Sequence, residues 1–132
     1  MAEISKWFKW MLIVDVVIGV IYGVLYVFFP DVVYNMNDAP FYDPHFWRLF
    51  GGAILAIGVG AALSLKVKDW EKVKLFILIV LIFLVIIAIV NITSALYTTR
   101  SPVNLGYHWL DTSLILILIV LNGYFYLREG KK

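Results

Sequence analysis

Four long apolar stretches, separated by shorter polar segments, dominate the chain. Each stretch is about as long as the roughly 20-residue helix that crosses the hydrocarbon core of a bilayer. The predicted spans cover about residues 7–29, 44–65, 73–97 and 106–127. The pattern therefore predicts an all-α integral membrane protein in which residues 1–132 form one four-helix bundle with antiparallel up-down-up-down order.

Residues that start and stop helices set the span boundaries. Pro30 is expected to end the first span, because proline lacks the backbone N–H that continues a helix. Asp43 followed by Pro44 is typical of a helix start, and Asp69 is placed to cap the third span. The polar segment 30–43 is predicted to be the longest loop. The other two connections are short, so the second, third and fourth spans are expected to be neighbours.

Composition supports the membrane assignment and narrows the chemistry. Apolar residues make up 63% of the chain and charged residues 15%, with a mean hydropathy of +0.92. A soluble domain of this size could not bury so much apolar surface. The net charge of +2 is too small to indicate a nucleic-acid partner. The sequence contains no cysteine, which excludes disulfides and thiolate metal sites.

The distribution of lysine and arginine predicts the orientation. Nine basic residues flank the spans on one side, and only Arg48 and Arg100 lie on the other. Because basic residues are retained on the cytoplasmic side, both termini are predicted to be cytoplasmic in the cell membrane. The nine are Lys6, Lys9, Lys66, Lys68, Lys72, Lys74, Arg128, Lys131 and Lys132. The aromatic belts are expected to include Trp7, Trp10 and Trp70 on the inside and Trp47, Tyr97, Tyr107 and Trp109 on the outside.

Five polar residues are predicted to form a cluster in the outer half of the bundle. They are His45 and Arg48 on the second span, Asn91 on the third, and His108 and Asp111 on the fourth. The spacing of three residues places each pair on one helix face. A central charge in a membrane costs about 2.5–3.5 kcal/mol on insertion scales, so an ion pair between Arg48 and Asp111 is expected.

Two interpretations of this cluster stay open. In the first, the ion pair is structural and fixes the register of two spans. In the second, Arg48, His45 and His108 join the positive ends of two helix dipoles to bind an anionic or amphipathic ligand. Such a ligand would carry a carboxylate, a phosphate head group or a quinone oxygen, with Asp111 tuning the histidines.

Neither a cofactor nor a metal is predicted, although three alternatives are weighed. Haem held between His45 and His108 is the first, because the two residues lie at similar depth. A metal bound by Asp43, His45, His108 and Asp111 is the second, but the spacing has no recognised signature. A bound quinone is the remaining cofactor alternative.

Asp15 is the one acidic residue within the first span. Asp15, Gly19, Tyr22 and Tyr26 are spaced by four, three and four, so they form a stripe that is expected to face the bundle. Buried away from cations, Asp15 is expected to stay protonated and to hydrogen-bond Asn122 at the same depth. A proton relay through Asp15, Tyr22 and Asn122 is the functional alternative to this interhelical bond.

Small residues follow each other at four-residue spacing along the second span. Gly52, Ala56 and Gly60 lie on one face, and Gly51 and Gly58 are close by. Small side chains let helix backbones approach, so this face is predicted to be a packing seam.

The first half of the chain resembles the DoxX-like group of small four-span membrane proteins. The resemblance rests on the run from Gly23 to Pro30, the polar segment after it, and the ranges 48–52 and 55–58. The matching positions are Arg48, Gly51, Gly52 and Gly58. The resemblance implies a ligand-binding or accessory role, since members include subunits of quinone-linked oxidoreductases and assembly partners of larger membrane proteins.

The leading functional hypothesis is a non-enzymatic protein of the lipid bilayer. It would bind a small amphipathic ligand, such as a lipid or a quinone, or a membrane protein partner, through the outer polar cluster. One alternative is a quinone-linked redox subunit, an enzyme component that needs a cofactor or partner because the chain supplies no electron carrier. The other is a proton-coupled small transporter that acts as a homodimer with Asp15 as the carrier site.

Overall fold

The computed structural model describes residues 3–38 and 42–131 and contains five α-helices in that part of the chain. They are α1 (Lys6–Phe28), α2 (Pro30–Asn37), α3 (Pro44–Ser64), α4 (Trp70–Tyr97) and α5 (Pro102–Glu129). By length and composition α1, α3, α4 and α5 are able to cross a membrane, which confirms the four predicted spans. Lys132 of the basic count and residues 39–41 of the predicted outer loop lie outside the described residues.

The predicted loop 30–43 contains a helix, α2, so this prediction is wrong over residues 30–37. The first span does end just before Pro30, as predicted, since α1 stops at Phe28. Pro30 then starts a new helix, because a proline suits the first helical position, where its missing N–H would have had no partner. Asp31 in the first turn favours the same start. α2 ends at Asp38, whose φ of 47° is a left-handed conformation that aspartate tolerates better than most residues.

The helix starts follow local capping. Asp43 accepts hydrogen bonds from the backbone N–H groups of His45 and Phe46, and Asp69 accepts one from Glu71, as the sequence predicts. α5 begins at Pro102, earlier than the predicted start near residue 106. The reason is Ser101, whose hydroxyl accepts from the backbone N–H of Asn104 and caps the additional turn.

The spanning helices pack as two pairs, α1 with α3 and α4 with α5. The first pair is in backbone contact, since a Cβ atom built on Gly19 would lie 2.8 Å from the Cα atom of Gly58. The two pairs meet through far fewer contacts, α1 with α5 and α3 with α4. Within the described residues α3 and α5 do not approach each other. The expectation that α3 and α4 are close neighbours is therefore met only weakly.

The glycine seam lies on a different face of α3 from the predicted one. Gly51 and Gly58 face α1, whereas a Cβ on Gly52 would meet no atom within 4 Å and Ala56 is exposed. Gly60 alone of the predicted set is packed, against the Phe76 ring of α4. At 3.6 residues per turn, consecutive residues of a helix point about 100° apart. The predicted four-residue spacing of small residues is therefore present, but it lies on a face of α3 that does not contact α1.

One end of the bundle, here called the terminal end, is closed by dense packing. The rings of Phe8 and Tyr126 meet the Trp70 ring edge-on, each with a centroid distance of 5.5 Å. Trp70 is only 4% exposed and is therefore part of the core at this end of the bundle. The fully buried carboxylate of Glu129 accepts hydrogen bonds from the backbone N–H and the hydroxyl of Ser5. The start of α1 and the end of α5 are thereby joined.

The opposite end, here called the distal end, is covered by α2. The Arg100 Nε donates to the carbonyl oxygen of Asn37 over 3.1 Å, and its Nη atoms donate to Ser94 on α4. The Asp38 carboxylate accepts from the Ser101 N–H over 2.8 Å and from the Asn104 amide. These two donors hold the pKa of Asp38 below its ordinary value. The link between α4 and α5 therefore anchors α2.

The two neighbouring glycines of α3 provide a matched test of the seam. A Cβ on Gly51 would lie 2.7 Å from Tyr26 Cβ and 2.9 Å from the backbone nitrogen of Val27, whereas Gly52 faces open space. We expect Gly51→Ala to lower the free energy of unfolding by about 1–3 kcal/mol, since the backbone must move. We expect Gly52→Ala to be neutral or mildly stabilising. Thermal unfolding of both variants in one detergent measures the difference, and equal stabilities would contradict the seam.

The anchor of α2 predicts a pH dependence at the distal end. Because the pKa of Asp38 is lowered in the folded protein, its contribution is complete above the ordinary aspartate value of about 3.9 and is lost as the pH falls through the lowered pKa. Hydrogen exchange of residues 30–38, corrected for the intrinsic rate, is expected to accelerate on acidification. The Asp38→Asn variant should lack this acceleration, and Asp31→Asn, at an exposed position of α2, should keep it. Identical profiles for the wild type and Asp38→Asn would contradict the assignment.

Candidate functional site

A cavity lies between the two helix pairs. Its volume is about 120 Å³, close to the roughly 150 Å³ of an engineered cavity that binds benzene. The four spanning helices supply its walls, and Asn37 of α2 reaches it from the distal end. Close packing within each pair and the few contacts between pairs explain why the space opens here. The cavity is thus a product of how the helices pair.

The cavity wall is largely apolar with a few polar groups. Ile54, Leu84 and Ile115 represent the apolar lining from three helices. The polar lining residues are Asp15, Tyr22, Tyr26, Asn37, Asn91 and Asp111. A concave, mostly apolar space with a small number of placed polar groups is the usual character of a small-molecule site.

The strongest polar interaction at the cavity joins α1 to α5. The Tyr22 hydroxyl donates to Asp111 Oδ1 over 2.7 Å. Asp111 is half-buried, and among the described residues Tyr22 is its one hydrogen-bond partner. The second carboxylate oxygen of Asp111 is therefore available to a ligand in the cavity.

Aromatic rings continue from this polar interaction along the wall. The Tyr22 and Tyr26 ring centroids are 6.5 Å apart, and Tyr26 and Phe50 follow at 5.4 Å. Phe50 in turn stacks with Phe83 of α4 at 6.4 Å. These distances lie within the range in which aromatic pairs attract each other. The rings therefore form a continuous aromatic wall from α1 through α3 to α4.

Asp15 and Asn122 form the polar pair nearer the terminal end. The Asn122 amide donates to Asp15 Oδ1 over 3.1 Å and also to the Leu118 carbonyl, so the predicted hydrogen bond is present. Asp15 Oδ2 and Asn122 Oδ1 are buried and have no hydrogen-bond partner among the described residues. Both are acceptors on side chains that already touch, so one proton on Asp15 would supply the missing donor.

The predicted ion pair between Arg48 and Asp111 is wrong. In the described residues the one ion pair joins Lys74 and Glu71, and Arg48 Nε instead donates to the Val27 carbonyl oxygen over 3.3 Å. Val27 belongs to the last turn of α1, where carbonyl groups lack intrahelical partners and a cation is favoured by the helix dipole. Arg48 does not reach Asp111, because α3 and α5 do not approach each other within the described residues.

The two histidines of the predicted cluster lie in different environments. The His108 ring is buried, and its Nε2 donates to the Asn91 carbonyl oxygen over 2.8 Å, which links α5 to α4. His45 is exposed in the first turn of α3 and does not line the cavity. Of the five predicted cluster residues, the structure therefore brings together Asn91, His108 and Asp111. The described residues contain no group of three or more acidic or histidine side chains that could hold a metal ion.

Sequence reasoning identified one wall of the cavity and missed others. The stripe Asp15, Gly19, Tyr22 and Tyr26 does face the bundle, and all four residues line the cavity. Phe50, Phe83 and Asn37 were not expected there. The spacing of Phe50, Ile54 and Ile57 by four and three residues places them on one face of α3. This spacing is the sequence signal that could have identified the second wall of the cavity.

Comparisons of the chain with family models, curated proteins and solved structures gave no significant match. The resemblance to the DoxX-like group therefore stays a prediction.

Proposed function

We propose that this protein binds a small amphipathic molecule within the membrane, in the cavity between its two helix pairs. The proposed binding site is therefore this cavity and not the five-residue outer cluster that the sequence predicted. Its polar end lies beside Asp111 and Tyr22, and its apolar part lies among the aliphatic and aromatic side chains of the wall.

The observation that carries the proposal is the combination of an apolar cavity with an incompletely bonded carboxylate in it. A carboxylate within a membrane-spanning helix is costly unless it is paired, and lipid supplies no donor. A ligand that places a donor beside Asp111 would remove this cost and fill the space at once. A purely structural bundle would gain stability by closing the cavity with larger side chains.

We also propose the orientation that the basic residues indicate. The terminal end, with Lys6, Lys9 and Arg128 beside it, faces the cytoplasm of the cell, and consecutive spanning helices run antiparallel. The distal end, with α2, faces outward. A ligand would then reach the cavity from the outer leaflet or from the outside.

Proton-coupled transport is the second candidate function. It is favoured by Asp15, which lies at the cavity wall with one oxygen that has no partner among the described residues. Acidic groups at membrane depth commonly mark proton pathways. Reconstitution in liposomes with an internal pH dye tests it: substrate-driven proton movement that is lost in Asp15→Asn would support transport, and its absence in the wild type would count against it.

Two adjacent isoleucines of α4 give a matched test of ligand binding. Ile87 lines the cavity, whereas Ile86 is 56% exposed on the outer surface of the bundle. We expect Ile87→Trp to fill the cavity and to weaken binding of a diazirine-bearing hexanol by about tenfold, or ~1.4 kcal/mol. Ile86→Trp adds the same side chain outside the cavity and should bind as the wild type does.

Photocrosslinking in nanodiscs followed by peptide mass spectrometry measures both the extent and the place of labelling. Labelling of the wild type is expected at Asp111 and Tyr22, and thermal unfolding of each variant checks that it is folded. If the probe marked only lipid-facing residues, or if the two tryptophan variants behaved alike, the cavity would not be a binding site.

A further inference from the structure

We infer that the cavity selects lipophilic ammonium cations, with Asp111 as the counter-ion. This inference rests on the proposed function and adds the charge of the ligand to it. An alkyl- or arylamine in its protonated form is the chemical class that fits. The sequence interpretation favoured an anion, and the arrangement of charges around the cavity reverses that expectation.

Among the described residues, the side chains in the cavity wall that can carry a charge are all acidic. Asp15 and Asp111 are both part of its wall, and among the described residues no lysine, arginine or histidine lines it. The cations that supported an anion site lie elsewhere: Arg48 caps the end of α1 and His45 is exposed. An anion would therefore meet acceptors and no charged donor, whereas an ammonium group would meet carboxylate oxygens. Charge-assisted hydrogen bonds of this kind are about twice as strong as neutral ones.

Asp111 suits the role of counter-ion better than Asp15. Its Oδ1 already accepts from the Tyr22 hydroxyl, a donor that stabilises a carboxylate, and it is only half-buried. Asp15 is 5% exposed, and the unpaired acceptors in its pair with Asn122 call for a proton instead of a second negative charge. One carboxylate is thus arranged for an ionic partner and the other for a neutral hydrogen bond.

The aromatic wall next to Asp111 adds a second interaction that only a cation can use. Tyr22, which bonds Asp111, is also the first ring of the series that continues through Tyr26 to Phe50. The negative face of an aromatic ring attracts ammonium groups, and the attraction grows where water is excluded. Carboxylate and ring faces therefore converge on the same part of the cavity.

The size of the cavity limits the part of the ligand that it holds. A volume of about 120 Å³ is near that of the cavity known to hold a benzene ring, so one ring or a short alkyl chain fits beside the ammonium group. Phenylethylammonium is therefore a suitable probe. Phenylethanol and phenylpropanoate have nearly the same shape with a neutral and an anionic end.

The experiment compares binding of these three labelled compounds to the full-length protein in nanodiscs of uncharged lipid, with empty nanodiscs as the baseline. We expect phenylethylammonium to bind about tenfold or more tightly than phenylethanol, as charge-assisted hydrogen bonds allow. Asp111→Asn should remove this preference, because the amide oxygen still accepts a hydrogen bond from either compound but carries no negative charge. Asp31→Asn, which removes an exposed carboxylate on α2 outside the cavity, should keep the preference.

The outcomes separate the two proposals. Equal binding of the cation and the alcohol, or tighter binding of phenylpropanoate, would overturn the cation inference and leave ligand binding in place. A preference that survives Asp111→Asn but disappears in Asp15→Asn would overturn the choice of counter-ion. Binding of none of the three above the lipid baseline would overturn both the inference and the proposed function. Thermal unfolding of each variant shows that a loss of binding is not a loss of fold.

Discussion

The backbone contact between α1 and α3 is the constraint on which the rest of the structure depends. A Cβ atom on Gly19 would lie 2.8 Å from the Cα atom of Gly58, and one on Gly58 would lie 3.2 Å from the carbonyl carbon of Gly19, so the two helices approach more closely than larger side chains would allow. In a membrane such contacts are a main source of helix association, because lipid tails solvate apolar side chains as well as another helix does. α4 and α5 form the other pair, and the two pairs meet through few contacts. The space left between them is the cavity.

The two ends of the bundle decide how that space can be used. At the terminal end Phe8 and Trp70 belong to a dense core, and Ser5 is hydrogen-bonded to Glu129. At the distal end the bundle is covered by α2, which is held by exposed polar bonds such as that between Asp38 and Ser101. Exposed hydrogen bonds open at lower free energy than a packed core. The cover formed by α2 is therefore expected to open locally more readily than the packed terminal end.

The sequence predicts features that depend on near neighbours in the chain and fails where the partner is distant. The starts at Asp43 and Asp69 were predictable because a cap and its N–H group are two or three residues apart. The position of Asp111 in the distal half of α5 was also predictable, since it follows from counting residues along a helix. Its partner was not, because depth says nothing about which helices touch. Arg48 lies on α3, away from α5, while Tyr22 on α1 reaches Asp111. The hydrogen bond between Asp15 and Asn122 was found because few polar groups compete at that depth.

The charge character of the site follows from the same geometry. Within the predicted five-residue cluster, Arg48 and the two histidines indicated a site for an anionic or amphipathic ligand. A ligand in the cavity, however, is affected mainly by the charged groups that line it. Electrostatic interactions are strong in a low-dielectric interior, whereas charges exposed to water are screened. Arg48 is hydrogen-bonded to the end of α1 and the His108 ring to the Asn91 carbonyl, and neither residue lines the cavity. What remains within reach is the carboxylate of Asp111 with aromatic rings beside it, an environment that attracts positive charge.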